Sequence, residues 1–277
     1  MRFIAVIIVI ALGAGAYYLS TPEGRALLDR VAINAKRAEH RALFRAGETL
    51  PGTPDLTQLE RRLAARGVSL GVPIFIRIFK LESELELWVR KDGRFVHFAT
   101  YPICFWSGRL GPKLQEGDRQ APEGFYTVDA DALNPNSVEH RSFNLGFPNA
   151  YDRAQGRTGS FLMVHGGCSS TGCYAMTHPV VDEIWRMVTA ALEAGQPRFA
   201  VHAFPFRMTE RNMRLRRGQT WSPFWVELKR GYDLFERTGV PPAVSVCESR
   251  YVIEPGNGES PVPAVEERCP SEIAVNP

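Results

Sequence analysis

The pattern of apolar and polar positions changes period along the chain, and each change predicts a different element. From Phe3 to Leu19 there is no period at all: 17 positions follow Arg2 without a charge. That length is the lower limit for a membrane span and long for the apolar part of an export signal. The preceding arginine predicts that this end stays cytoplasmic. Ala14-Gly15-Ala16 offers a small-residue cleavage site, so an uncleaved anchor and a cleaved signal both fit. A helical period begins at Thr21-Pro22-Glu23, a good helix start. Leu27, Leu28, Val31 and Ala35 make a partial stripe, and Arg25, Arg30, Lys36, Arg37, Arg41 and Arg45 make the rest cationic. This reads as a basic helix on an anionic membrane surface or as a solvated stalk. Pro51-Gly52-Thr53-Pro54 then marks a domain boundary.

Asp55–Arg66 carries Leu56, Leu59 and Leu63 on one side and stops at Gly67. The period then becomes two. Val72, Ile74, Ile76 and Ile78 alternate with Phe75, Arg77 and Phe79, and Leu85, Leu87 and Val89 alternate in the next run. Asp92-Gly93 is a tight-turn signal into Phe95–Thr100. An antiparallel sheet of at least three strands follows, with further strands expected at Gly124–Val128, Ser160–His165 and Phe199–Phe204. Helical period returns between Pro179 and Gly195, with Val181, Ile184, Trp185, Val188 and Leu192 on one face. It returns again from Ser222-Pro223, with Phe224, Trp225, Leu228 and Phe235. The fold class is therefore mainly β with flanking helices (α+β). The plan is 1–20 anchor or signal, 21–54 basic helical stalk or linker, 55–210 main β-rich domain and 211–253 helical extension. Residues 254–277, rich in Pro, Glu and Ser, are expected to lack fixed structure.

Composition narrows this only slightly. A hydrophobic content of 44% supports one sizeable core. The net charge of +3 argues against a dedicated nucleic-acid binder. The cysteine count does more: five is odd, so in an oxidising compartment four could pair and leave one thiol free.

The densest chemistry lies in Met163–Thr177, M-V-H-G-G-C-S-S-T-G-C-Y-A-M-T. A thiol nucleophile needs a base to make it a thiolate, and backbone N–H groups free to receive negative charge. His165 and Cys173 supply the pair, with Cys173 as nucleophile and His165 as general base and acid. Gly166, Gly167 and Gly172 supply a permissive backbone, with the Gly172 and Cys173 N–H groups as oxyanion donors. A disulfide between Cys168 and Cys173 is the structural alternative. Zinc is disfavoured, because no second cluster follows at ligand spacing. If Cys173 is the nucleophile, Cys104, Cys168, Cys247 and Cys269 remain. A Cys247–Cys269 bridge would staple the tail, while Cys168 either pairs with Cys104 or stays a thiol beside the site. No metal and no cofactor are expected.

This segment resembles the active-site segment of the L,D-transpeptidase (YkuD-type) family, in its YafK-like branch. The resemblance rests on His165-Gly166 and Ser170-Thr171-Gly172-Cys173, with Thr171 where many members carry a second histidine. It extends to Cys104–Gly108, Gly111-Pro112-Lys113, Gly117–Tyr126 and Gly146–Asp152. It implies a β-sandwich catalytic domain in the periplasm or cell envelope, held at the inner membrane by residues 3–19. The implied chemistry is acyl transfer on peptidoglycan stem peptides through a Cys173 thioester. Hydrolysis at the same site, as an L,D-carboxypeptidase or an amidase that releases a peptidoglycan-linked lipoprotein, is the alternative. A non-catalytic wall-binding module is the second alternative. Arg109 and Lys113 are expected to cradle substrate carboxylates, since cations suit carboxylates and arginine presents a fork to them. Ser170 and Asn149 join them as substrate-binding candidates.

Overall fold

The computed structural model describes residues 13–258 and 262–270. Most of the apolar run 3–19 therefore lies outside the described residues. Among the described residues, no helix is long and apolar enough to cross a membrane.

Helix α1 (Pro22–Arg45) starts at Thr21, whose Oγ1 accepts the Gly24 N–H at 3.1 Å. A 3-10 turn (Leu56–Gln58) leads into α2 (Leu59–Ala65). Strands β1 (Ile74–Phe79), β2 (Glu84–Lys91), β3 (Arg94–Pro102), β4 (Phe105–Trp106), β5 (Gly124–Asp129), β6 (Leu133–Asn134) and β7 (Ser142–Asn144) follow. Then come α3 (Ala150–Ala154), β8 (Met163–His165), β9 (Tyr174–Ala175), α4 (His178–Glu193) and β10 (Arg198–Phe204). Helices α5 (Glu210–Leu215) and α6 (Ser222–Thr238) and the ribbon β11 (Ala243–Cys247) and β12 (Arg250–Glu254) close the chain.

One sheet runs β3-β2-β1-β10-β5 and the other β4-β9-β8-β7-β6. The β2–β3 hairpin turns at Asp92 and Gly93, both at positive φ (49° and 77°), the turn whose twist matches its strands. Strand β1 pairs with β10 in parallel and with β2 antiparallel, so it lies inside its sheet, and every residue of it is buried. Even Arg77 is only 3% exposed, because Glu86 Oε2 takes its guanidinium at 2.8 Å. The two sheets share one apolar core with α4 and α6, and Phe143 of β7 meets Phe199 of β10 edge-on at 5.7 Å. Truncating a fully buried side chain such as Ile184 to alanine costs about 2–5 kcal/mol.

Helix α1 corrects the expectation of a solvated stalk or membrane-surface helix. Its apolar stripe is narrow, with Ile33 reaching the core, and polar groups also attach it to the domain. Asp29 accepts from Arg216 Nε and Nη2 at 2.9 and 2.7 Å. Lys36 donates to the Glu82 carbonyl at 2.9 Å, and His40 Nδ1 lies 2.8 Å from the Ile103 carbonyl. Arg37 lies over the Trp106 ring at 4.0 Å. Spending three charged groups inward is what composition alone could not show.

The tail is also corrected in part. Cys247 and Cys269 form a disulfide. The Val246 N–H donates to the Glu266 carbonyl at 2.9 Å, and the Arg268 N–H to the Val246 carbonyl at 2.8 Å. Residues 262–270 thus lie along β11, because a covalent bridge and two backbone bonds offset the ordering entropy that their composition leaves uncompensated.

Candidate active site

Strands β8 and β9 pair in parallel, with Val164 opposite Tyr174 and His165 opposite Ala175. Alternation along the pleat then puts Met163, His165, Cys173 and Ala175 on one face. The Met163 N–H donates to Cys173 Sγ at 3.4 Å, so the sulfur sits level with the residue two before the histidine. The thiol in turn donates to the Phe161 carbonyl at 3.5 Å. Cys173 is half-buried and is the free thiol among the described cysteines. Strand β9 separates it from α4, and the Met176 N–H beyond that strand is tied to the His165 carbonyl at 2.7 Å.

The loop between the strands is held by its own groups. Ser170 Oγ donates to the Cys173 carbonyl at 2.6 Å and accepts the Gly172 N–H at 3.2 Å. Gly172 has φ +133°, which strains any other residue, and a Cβ there would crowd Leu162 Cδ2 at 3.0 Å. Cys168 is bonded to Cys104, which removes the Cys168–Cys173 alternative. That bridge packs with Leu50, Leu43, Phe44 and Phe105, so it fastens the site loop to the end of α1 and the segment beyond it.

His165 is 3% exposed, and its Nδ1 lies 2.6 Å from the Gly166 carbonyl. A carbonyl only accepts, so Nδ1 carries the hydrogen and Nε2 keeps the lone pair of a base. Burial holds the imidazole below its ordinary pKa, opposed by the Gly166 carbonyl and the Glu139 charge. Burial pushes the Cys173 thiol above its ordinary pKa, with the Met163 N–H and Lys113 pulling it down and Glu139 pushing further up. Both shifts favour the neutral form of the group, so burial works against a resting thiolate–imidazolium pair.

The substrate-binding candidates separate. Arg109 is exposed; its N–H donates to Gln120 Oε1 at 2.9 Å, and its guanidinium has no partner among the described residues. Lys113 is 3% exposed and spent on Asp118 Oδ1 at 2.6 Å and the Gln115 carbonyl at 2.9 Å. Ser170 is occupied within the loop. Asn149 corrects the expectation outright, because it faces inward at 6% exposure. It caps α3 by accepting the Asp152 N–H at 2.8 Å, and its Nδ2 donates to the Phe125 carbonyl at 2.7 Å. An asparagine in a Pro-Asn-Ala-Tyr stretch is a helix cap as readily as a ligand, and only the packing decides.

Sequence reasoning passed over two residues. Glu139 follows no motif, yet its Oε2 would lie 3.3 Å from a Cβ on Gly167, and its charge reaches both His165 and Cys173. Gln120 sits between the nucleophile loop and Arg109: its carbonyl would lie 3.6 Å from a Cβ on Gly172, and its amide group holds the Arg109 backbone. The floor of this loop is the buried pair Lys80–Glu123, 2.9 Å apart. Burial pulls Lys80 down to about 8 against that partner. Lys80 also donates to the Gly111 and Ala121 carbonyls at 2.8 and 2.9 Å.

A thiol and an imidazole thus share one face of a strand pair, under a glycine-bearing loop. The sequence profile of the L,D-transpeptidase catalytic domain (YkuD) matches residues 76–223, and the chain belongs to this family. It is 49% identical over 184 residues to "Putative L,D-transpeptidase YafK" of Escherichia coli strain K12, a match spanning 66% of this chain and 75% of that protein. The YafK of Escherichia coli O157:H7 matches to the same extent. Among solved structures, the helical cell shape determining protein Pgp2 from Campylobacter jejuni is similar at 17% identity and TM-score 0.40, over 67% of this chain and 68% of that one. Bd1075 of Bdellovibrio bacteriovorus is similar at 14% identity and TM-score 0.35, over 59% and 57%.

Proposed function

We propose that this chain is a cysteine acyltransferase of peptidoglycan stem peptides. The observation that carries the reading is the β8–β9 pairing, with a free thiol and a base-ready Nε2 on one face. Cys173 Sγ attacks the carbonyl carbon of the amide that follows the L-centre of a diamino acid, and His165 Nε2 takes the thiol proton. The carbonyl oxygen, now an oxyanion, is met by the Cys173 N–H and by the Gly172 N–H once it leaves Ser170. His165 returns the proton to the departing amine, the C–N bond breaks and a thioester remains. An amine or water then takes the acyl group by the reverse steps. Two disulfides suit an oxidising compartment, which supports a place in the envelope, with residues 3–19 as the inner-membrane tether.

Product analysis tests this. The full chain and its Cys173→Ala variant are incubated in detergent with a defined tetrapeptide muropeptide and with a lipoprotein-linked muropeptide, and products are read by mass. Cross-linked or amine-exchanged products absent from the variant make it a transpeptidase. Released tripeptide or freed lipoprotein peptide makes it a hydrolase of the same site. No product on either substrate overturns the enzymatic reading in favour of a wall-binding module.

A further inference from the structure

Three adjoining hollows open between α1 and the loop over residues 108–120, the largest with a volume of about 560 Å³. Arg30, Arg109 and Leu110 line all three. Both arginines are exposed, and neither guanidinium has a hydrogen-bond or ion-pair partner among the described residues. The acidic groups beside them are spent: Asp29 on Arg216 at 2.7 Å and Asp118 on Lys113 at 2.6 Å. Glu23, at the far end of one hollow, is the remaining lining carboxylate. The cleft thus keeps two unneutralised forks facing one space.

We propose that this cleft is a carboxylate clamp for an acidic peptide, with Arg30 and Arg109 as its two forks. The clamp rests on the function proposed above: the peptide is the strand whose amide is delivered to Cys173. Arg30 lies outside the region that matches the family profile, so helix α1 contributes a binding residue that the catalytic domain lacks. A planar guanidinium meets a carboxylate with two parallel hydrogen bonds, and an exposed but unpaired one is available to do so. The walls are rigid. Lys80 and Glu123 pin the loop from below, and Trp221 closes over Gly111, where a Cβ would stand 2.4 Å from the indole Nε1. Gln120 connects cleft to nucleophile, touching the Gly172 position with its carbonyl and holding Arg109 with its side chain. A peptide chain enters such a hollow, and a flat bilayer surface does not.

The test reads binding without turnover, using the full chain carrying Cys173→Ala in detergent micelles and titration calorimetry. Three probes are compared: a stem tetrapeptide with free carboxylates, the same peptide with its carboxylates amidated, and glycerol 3-phosphate as a phospholipid-headgroup mimic. Arg30→Gln and Arg109→Gln are each expected to weaken the free-acid peptide about tenfold. Arg30→Lys recovers only part of that, because it restores charge without the fork. The amidated peptide binds about as weakly as the variants and is insensitive to them. Unchanged affinity in both glutamine variants, at unchanged melting temperature, overturns the clamp while leaving the enzyme reading intact. Tighter binding of glycerol 3-phosphate than of the peptide, lost in the same variants, overturns it in favour of a headgroup site. If the peptide neither binds this chain nor is processed by wild type, the enzyme reading fails and the clamp with it.

Discussion

The strand pair that carries Cys173 and the cleft that carries Arg30 are built in opposite ways. In the first, thiol, base and turn glycines come from one stretch, Met163 to Ala175, held by local hydrogen bonds and by one distant tie, the Cys104–Cys168 bridge. In the second, the groups come from α1, the 108–120 loop and Trp221. They meet only because Asp29–Arg216, Arg37–Trp106 and Lys80–Glu123 hold distant segments together. The proposed reaction needs sub-ångström placement, which a short closed loop between paired strands supplies, while the proposed recognition tolerates a wider span and can be built from separate elements.

The contrast is broken most severely at the sulfur. Cys173→Ala is expected to lower turnover on the order of 10⁴-fold or more, with the fold and the peptide affinity kept; turnover within tenfold of wild type would move the nucleophile elsewhere. His165→Ala should cost roughly 10²–10⁴-fold. The resting state sharpens that expectation. With the thiol raised and the imidazole lowered, the thiolate population of the free protein grows as pH rises toward the raised thiol value. Iodoacetamide labelling of Cys173 should therefore keep climbing above pH 8, whereas a plateau from acid pH would reveal a preformed ion pair.

Smaller effects separate local from distant supports. Cys104→Ser opens a bridge spanning a separation of 64 residues, which the chain-entropy model sets at ~4 kcal/mol, and frees the site loop. Denaturant midpoint and kcat should both fall. Cys247→Ser opens a separation of 22, worth ~3 kcal/mol, with kcat for the remaining folded protein unchanged. Equal losses of kcat in the two would contradict the site-loop role. Asn149→Ala removes a cap and a buried amide, about 2 kcal/mol of stability, and should leave KM at its wild-type value; a raised KM would return Asn149 to the substrate. The arginine substitutions, at about tenfold in affinity, are the smallest change and the most specific to the cleft.

Legibility followed the same division. The β2–β3 hairpin and the helices opened by Pro22, Pro179 and Pro223 were readable because turn chemistry and helix period are local. The inward turn of Asn149, the neutralisation of Lys113 by Asp118 and the docking of α1 were not. In each case the residue type permits either outcome, and the partner lies elsewhere in the chain or across a turn that spacing does not reveal. Glu139 had no signal at all, since an isolated carboxylate in a polar loop looks like any solvated one.

By itself, then, the amino-acid sequence determined a mixed α+β fold and membership of the L,D-transpeptidase family. Those follow from periodicity and from contacts between residues near in sequence. Tertiary structure alone decided the burial that lowers the His165 imidazole and raises the Cys173 thiol, and the choice of Cys104 as the partner of Cys168. Burial, cross-linking and charge neutralisation are properties of what packs against a group, and that is settled only when the distant segments have met.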